Sequence, residues 1–282
     1  MPTHVTPDGC TLHYEITGEG PPIAITPGGR ERKEALAPLV AELAKGARVL
    51  SWDRRNCGAA DVWFGAEGDR RSEQEVWADD LAELLRATGF GPAWLAGGSA
   101  GCRVALLTAV RHPDVARGLV LWSASGGFWG CQLLGYNYHV PYVMAAEKGG
   151  MALVAETPFF AERIAANPGN RARLMAEDPA AFIATMKRWN DFFRHREDTP
   201  VVGASEADLR GISVPTLVFE GNDDVHPPEV AEAIAALIPG ATFAASPWAR
   251  EEWMGRFTGR MPGSVFDLYP KLAPRILAFV GV

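Results

Sequence analysis

Apolar residues in this chain come in short runs, and most of those runs hand over to segments in which apolar positions recur at helical spacing. Alternation over 4–5 and 11–17, around the turn Pro7-Asp8-Gly9, predicts a hairpin. The apolar run 23–26 reads as a buried strand ending in Pro27-Gly28-Gly29-Arg30. A helix is expected over 33–44, closed by Gly46, and a strand over 49–52. Ser72 and Glu75 have the spacing of a capping box for a helix over 72–88, with Val76, Leu81, Leu84 and Leu85 on its apolar face and Gly89 after its end. Further strands are expected at 118–122, 214–220 and 241–245, with a helix over 229–237. Between 128 and 205 the strand pattern disappears. Loops and helices rich in Trp, Tyr and Phe take its place, with helical spacing over 145–157, 159–166 and 179–194.

One junction in this pattern carries chemistry. The stretch Trp94-Leu95-Ala96-Gly97-Gly98-Ser99-Ala100-Gly101-Cys102-Arg103 takes an apolar run through Gly-x-Ser-x-Gly directly into a helix, the context in which that motif holds a nucleophile. Gly97 and Gly101 lack the Cβ atoms that would collide where strand and helix crowd, so Ser99 can be held in a strained turn with its hydroxyl exposed. The free N–H groups of the helix beginning at Ala100 point at any negative charge that forms there. A glycine-rich turn without chemistry is the competing reading.

These features resemble the α/β-hydrolase superfamily, over nearly all of the chain except its middle. The resemblance implies an α/β fold: a mostly parallel eight-stranded sheet with helices on both faces, a core from 1–127 and 206–282, and a helical cap over 128–205. It implies that the N–H groups of Gly29 and Ala100 form an oxyanion hole, with proline in place of the usual histidine at position 27. Asp53-Arg54-Arg55-Asn56-Cys57-Gly58 is similar to the family's Asp-x-Arg-Gly-x-Gly stretch, which gives Asp53 a structural role. Gly221-Asn222-Asp223-Asp224-Val225-His226-Pro227 resembles the loop that carries the triad acid, and its spacing selects Asp224. The cap and neighbouring loops imply a pocket that takes in Gly28, Arg30, Trp129, Tyr138 and Trp248.

The pattern then breaks. The family places its catalytic histidine after the last strand, and no histidine follows His226. Three groups stand open as the base for Ser99: His226 from the acid loop, His139 from the cap, and Glu251, which falls in the vacated slot. An unperturbed glutamate is a weak base for a hydroxyl unless burial raises its pKa. For His226 the family's strand order leaves two strand spacings to cross, about 9.6 Å.

Composition narrows the partners. The chain has 282 residues, 48% of them hydrophobic, enough for one large core or a core with an insertion. A net charge of −7 without a basic run argues against a nucleic-acid surface. Cys10, Cys57, Cys102 and Cys131 form no C-x-x-C pair, which fits reduced thiols in a cytoplasm rather than a zinc site or a disulfide framework. No secretory signal and no membrane-spanning run is read. The expected partner is a small-molecule substrate, neither nucleic acid nor membrane, with a homodimer left open and no metal or organic cofactor implied. The expected activity is serine-dependent cleavage of a small, largely apolar ester, thioester, lactone or activated C–C bond. A lyase or isomerase step in the same pocket, or ligand binding without catalysis, are the alternatives.

Overall fold

The computed structural model describes residues 2–65 and 68–282. Eight strands, β1 (Thr3–Val5), β2 (Thr11–Thr17), β3 (Pro22–Thr26), β4 (Arg48–Asp53), β5 (Ala93–Gly98), β6 (Ala116–Trp122), β7 (Thr216–Phe219) and β8 (Thr242–Ala244), form one sheet in the order β1-β2-β4-β3-β5-β6-β7-β8. The pairings from β4 through β8 are parallel, and the two N-terminal strands add an antiparallel edge. The sheet register sets Thr26 of β3 beside Gly97, and Gly98 beside Trp122 of β6. The C-terminal ends of the central strands thereby share one edge, where ligands bind in open α/β sheets.

Helices α1 (Ala37–Leu43), α2 (Glu73–Ala87) and α3 (Ala100–Arg111) connect the strands of the first half. The Ser72–Glu75 capping box is formed at the start of α2. Two apolar clusters cover the two faces of the sheet: Trp77, Leu81, Leu85, Val104 and Leu106 on one, Leu39, Leu43, Trp253, Leu272 and Ile276 on the other. Between β6 and β7 lie α4 (Gly127–Glu156), α5 (Pro158–Ala166), α6 (Gly169–Ala176), α7 (Pro179–Asp191) and α8 (Glu206–Gly211). Helices α4 to α7 have a separate aromatic cluster, with Phe160, Phe182 and Trp189 packed on Phe64 from the loop before α2. The chain closes with α9 (Pro228–Leu237), α10 (Arg250–Phe257) and α11 (Ala273–Val280).

Residues 136–139 are helical, as α4 runs through Pro141 and loses helical backbone at Gly149 and Gly150. One element differs from expectation. The segment 33–44 begins as a 3-10 turn, Lys33–Leu36, before α1. Among the described residues, no helix is long and apolar enough to cross a membrane.

Candidate active site

The strand-helix crossing at Ser99 is as tight as its glycines suggest. A Cβ on Gly97 would lie 2.3 Å from the Gly101 carbonyl carbon, and one on Gly101 would lie 2.1 Å from the Thr26 oxygen. Both positions therefore exclude any other residue. Between them Ser99 sits at φ +53°, ψ −114°, outside the usual wells for a residue with a side chain. Such a conformation costs about 1–3 kcal/mol. Its N–H donates to the carbonyls of Trp122 and Ser123 at 3.2 and 3.1 Å, which fixes the elbow to the end of β6.

From the end of β7, two strands away, a loop supplies His226. The Ser99 hydroxyl donates to His226 Nε2 at 2.9 Å. On the other side of the ring, Nδ1 lies 2.9 and 3.0 Å from the two oxygens of Asp223. An ionised carboxylate only accepts, so Nδ1 carries the proton and Nε2 presents its lone pair to Ser99. Asp223 Oδ1 also accepts the N–H groups of Val225 and His226, both at 2.8 Å, and its other oxygen accepts from Trp253 Nε1. Burial raises the Asp223 pKa, but the hydrogen bond and charge of His226, followed by the Trp253 and backbone donors, outweigh it and bring the carboxyl down to about 2. Gly221 makes the curl of this loop possible, since a Cβ there would lie 2.0 Å from the His226 oxygen.

The carboxylate chosen from spacing is thus corrected by one residue. Asp224 points outward with its side chain 85% exposed, 3.6 Å from Arg250, while Asp223 is buried against the imidazole. Of the other two bases considered, Glu251 is exposed at the start of α10. His139 is buried in α4, where Nδ1 donates to the Gly135 carbonyl at 3.0 Å and Nε2 has no partner among the described residues. Burial, helped by the nearby Arg30 charge, pushes the His139 pKa down to about 3.

The loop after β3 lies against the elbow. A Cβ on Gly28 would stand 3.4 Å from Ser99 Cβ, and one on Gly29, at φ +50°, 3.8 Å from the Tyr138 hydroxyl. The loop's carbonyls are turned onto buried guanidinium groups: Gly28, Gly29 and Glu31 accept from Arg54 at 3.4, 3.1 and 3.4 Å, and Arg30 accepts from Arg163. In a trans peptide the N–H opposes its C=O, so the Gly29 N–H points away from Arg54. Among the described residues, neither that N–H nor the Ala100 N–H donates to a backbone or side-chain acceptor.

Of the expected pocket residues, Gly28 lies against the elbow and Tyr138 beside the Gly28-Gly29 loop. Three others do not offer themselves to a ligand. Arg30 is buried and committed, giving hydrogen bonds to Glu73 at 2.6 Å and to the Tyr138 carbonyl at 3.0 Å. Trp129 is 72% exposed on the outside of α4. Trp248 is stacked between Trp253 and Tyr269 in the core, its indole N–H donating to Asn222 at 2.7 Å. Asp53 holds the backbone N–H groups of Lys33 and Ala59, at 2.7 and 3.2 Å. Asp223 and Trp253 are the residues missed in the sequence. An acid three positions before a histidine was the available signal for Asp223. Trp253 is 30 positions further on, and nothing local announces it.

The model of the Alpha/beta hydrolase family matches residues 26–266. The chain belongs to that family. Among curated relatives of this hydrolase, the "Putative carbamate hydrolase RutD" of Azorhizobium caulinodans is 28% identical over 248 residues, 84% of this chain and 86% of that protein. The 2-hydroxymuconate semialdehyde hydrolase of a Pseudomonas species is 32% identical over 121 residues, covering 42% of this chain and 41% of the relative. Among solved structures, the enol-lactonase of Burkholderia xenovorans superposes with a TM-score of 0.62 at 21% identity, covering all of both chains. That likeness bears on the fold.

Proposed function

We propose that this α/β hydrolase is serine-dependent, with Ser99 as nucleophile, His226 as general base and Asp223 as the orienting acid, acting on a small acyl compound such as an ester, thioester, lactone or activated C–C substrate. The observation that carries the reading is the unbroken run of hydrogen bonds from the Ser99 hydroxyl through the imidazole to a buried carboxylate. A protein that only bound ligand would have no use for a strained serine aligned on a histidine.

Ser99 Oγ attacks the carbonyl carbon and its proton passes to His226 Nε2. The imidazolium that forms is stabilised by Asp223 against Nδ1. The Gly29 and Ala100 N–H groups hold the oxygen as it becomes negative, and losing one such donor typically costs about 10²–10³ in rate. Collapse of the tetrahedral intermediate expels the leaving group, which takes the proton from Nε2. Water, deprotonated by the same nitrogen, then attacks the acyl-serine, releasing the acid and restoring the hydroxyl.

The relay differs from the family arrangement in that acid and base share one loop. Trp253, from the helix after β8, reaches the carboxylate from the part of the chain where the family places its histidine. The names of the relatives range from carbamate to semialdehyde hydrolase, so they support the reaction class and leave the substrate open. The test is turnover of short-chain 4-nitrophenyl esters together with labelling by a fluorophosphonate. Turnover lost in Ser99→Ala, with label on Ser99 in the wild type, is the expected result. Full turnover by Ser99→Ala, or no label on folded wild type, would refute the reading.

A further inference from the structure

Two arginines of this protein are buried to similar depth and kept in opposite ways. Arg55, 3% exposed, uses its Nε and one Nη to grip Asp80 side-on at 2.7 and 2.8 Å. Its Nη atoms also reach Asp8, at 2.5 and 2.7 Å. Arg103 of α3, with no exposure at all, has no carboxylate among its described partners. One Nη donates to the Ser125 hydroxyl and the guanidinium lies 5.3 Å from the Phe193 ring centre. Nε and the other Nη, the same edge that holds Asp80 on Arg55, have no partner among the described residues. A buried cation without a counter-charge is costly, and an arginine cannot escape the cost by losing its proton under ordinary conditions.

The Tyr138 hydroxyl, beside the Gly28-Gly29 loop, lies near this guanidinium. Arg103 lies one helical turn beyond Ser99, and its N–H donates to the Ser99 carbonyl at 3.3 Å. Burial pulls its pKa down, and the first group to oppose the shift is Tyr138, whose hydroxyl lies beside the Gly28-Gly29 loop. Phe193, which covers the guanidinium, also lines a cavity of about 420 Å³ with Cys131, Gly135, Asn190, Asp191 and Arg194. Arg30 and Arg54 add positive charge around the same loop, and of these Arg30 is neutralised by Glu73. Arg54 donates to backbone carbonyls and has no carboxylate partner among the described residues.

We infer that the free Nε/Nη edge of Arg103 binds a carboxylate of the substrate, so that the compound cleaved at Ser99 is an acyl derivative carrying a second, ionised carboxyl group. The planar fork of the guanidinium matches a carboxylate side-on, as Asp80 on Arg55 demonstrates within this same molecule. This inference rests on the reading of Ser99 as the nucleophile.

The test compares the 4-nitrophenyl monoester of glutaric acid with 4-nitrophenyl pentanoate, equal in chain length and different in charge, on wild type, Arg103→Met and Arg103→Lys, after subtracting spontaneous hydrolysis. Wild type should favour the anionic ester in kcat/KM by about tenfold or more. Arg103→Met should lose that preference through KM, and Arg103→Lys, which keeps the charge without the fork, should retain part of it. The ligand-free thermal midpoint of Arg103→Met should equal or exceed that of wild type, because an uncompensated buried charge is removed. Equal use of both esters by wild type, or an unchanged preference in folded Arg103→Met, would overturn the inference while leaving the serine mechanism standing. If neither ester turns over and Ser99 resists labelling, the serine mechanism fails instead. Glutarate itself then decides: a rise in the wild-type thermal midpoint that Arg103→Met lacks supports the anion site, and no rise contradicts it.

Discussion

The loop after β7 and the helix α4 each bury a histidine, His226 with 6% exposure and His139 with 1%, and the two side chains could hardly be prepared more differently. His226 has a carboxylate 2.9 Å from Nδ1 and the Ser99 hydroxyl 2.9 Å from Nε2. His139 has a backbone carbonyl on Nδ1, no partner for Nε2 among the described residues and the positive Arg30 nearby, so it is held neutral down to about pH 3. Burial by itself disarms an imidazole. In the proposed mechanism a buried carboxylate on the far nitrogen turns burial to use, because it stabilises the proton that the ring would briefly hold.

The largest expected effect breaks the comparison at its active end. His226→Ala should lower kcat/KM for an ester by about 10³–10⁴, measured against wild type under identical conditions. Asp223→Asn should cost about 10²–10⁴, since the amide cannot balance an imidazolium and disfavours the tautomer that accepts from Ser99. Asp224→Asn, one residue along and exposed beside Arg250, should stay within about twofold of wild type, as surface charges mostly do. A large loss for Asp224→Asn with none for Asp223→Asn would reverse the assignment of the acid.

The smaller effects lie at the other histidine and concern stability. His139 has a folded pKa near 3, below its ordinary value near 6.5, so the folded state binds fewer protons than the unfolded chain between those limits. Its contribution is complete above about pH 6.5 and declines as pH falls, by up to about 1.4 kcal/mol per pH unit. Asp223 adds a second decline only below its ordinary carboxylate value, as pH falls toward about 2. His139→Phe should therefore flatten the denaturation midpoint between about pH 6.5 and pH 5, above the range in which Asp223 responds, with little change at pH 8. An unaltered slope would mean that His139 is not the group that responds.

How far the sequence disclosed all this depends on how local each cause is. The elbow was legible because two glycines and a serine at fixed spacing specify a steric crossing that few other residues permit. The capping box at Ser72 and Glu75 was legible for the same reason, both partners lying within one turn. Within the loop after β7, a family spacing pointed to Asp224, whereas the turn over Gly221 brings the Asp223 carboxylate onto the N–H groups of Val225 and His226. The helix α4 continues through Pro141, packed on the aromatic cluster it shares with α5 and α7, and loses helical backbone at Gly149 and Gly150. Trp248 was expected at a pocket because its loop is, yet its ring stacks into the core. The unpaired edge of Arg103 has no sequence signal, since it depends on which carboxylates the fold places elsewhere.

The central claim is that a histidine from the acid loop activates Ser99. The most direct measurement is the rate at which a fluorophosphonate phosphonylates Ser99 in wild type and in His226→Ala, with and without added imidazole. A rate that collapses in His226→Ala and recovers as imidazole enters the vacated space is the expected result. A His226→Ala protein that labels at the wild-type rate, while His139→Phe or Glu251→Gln does not, would contradict the account.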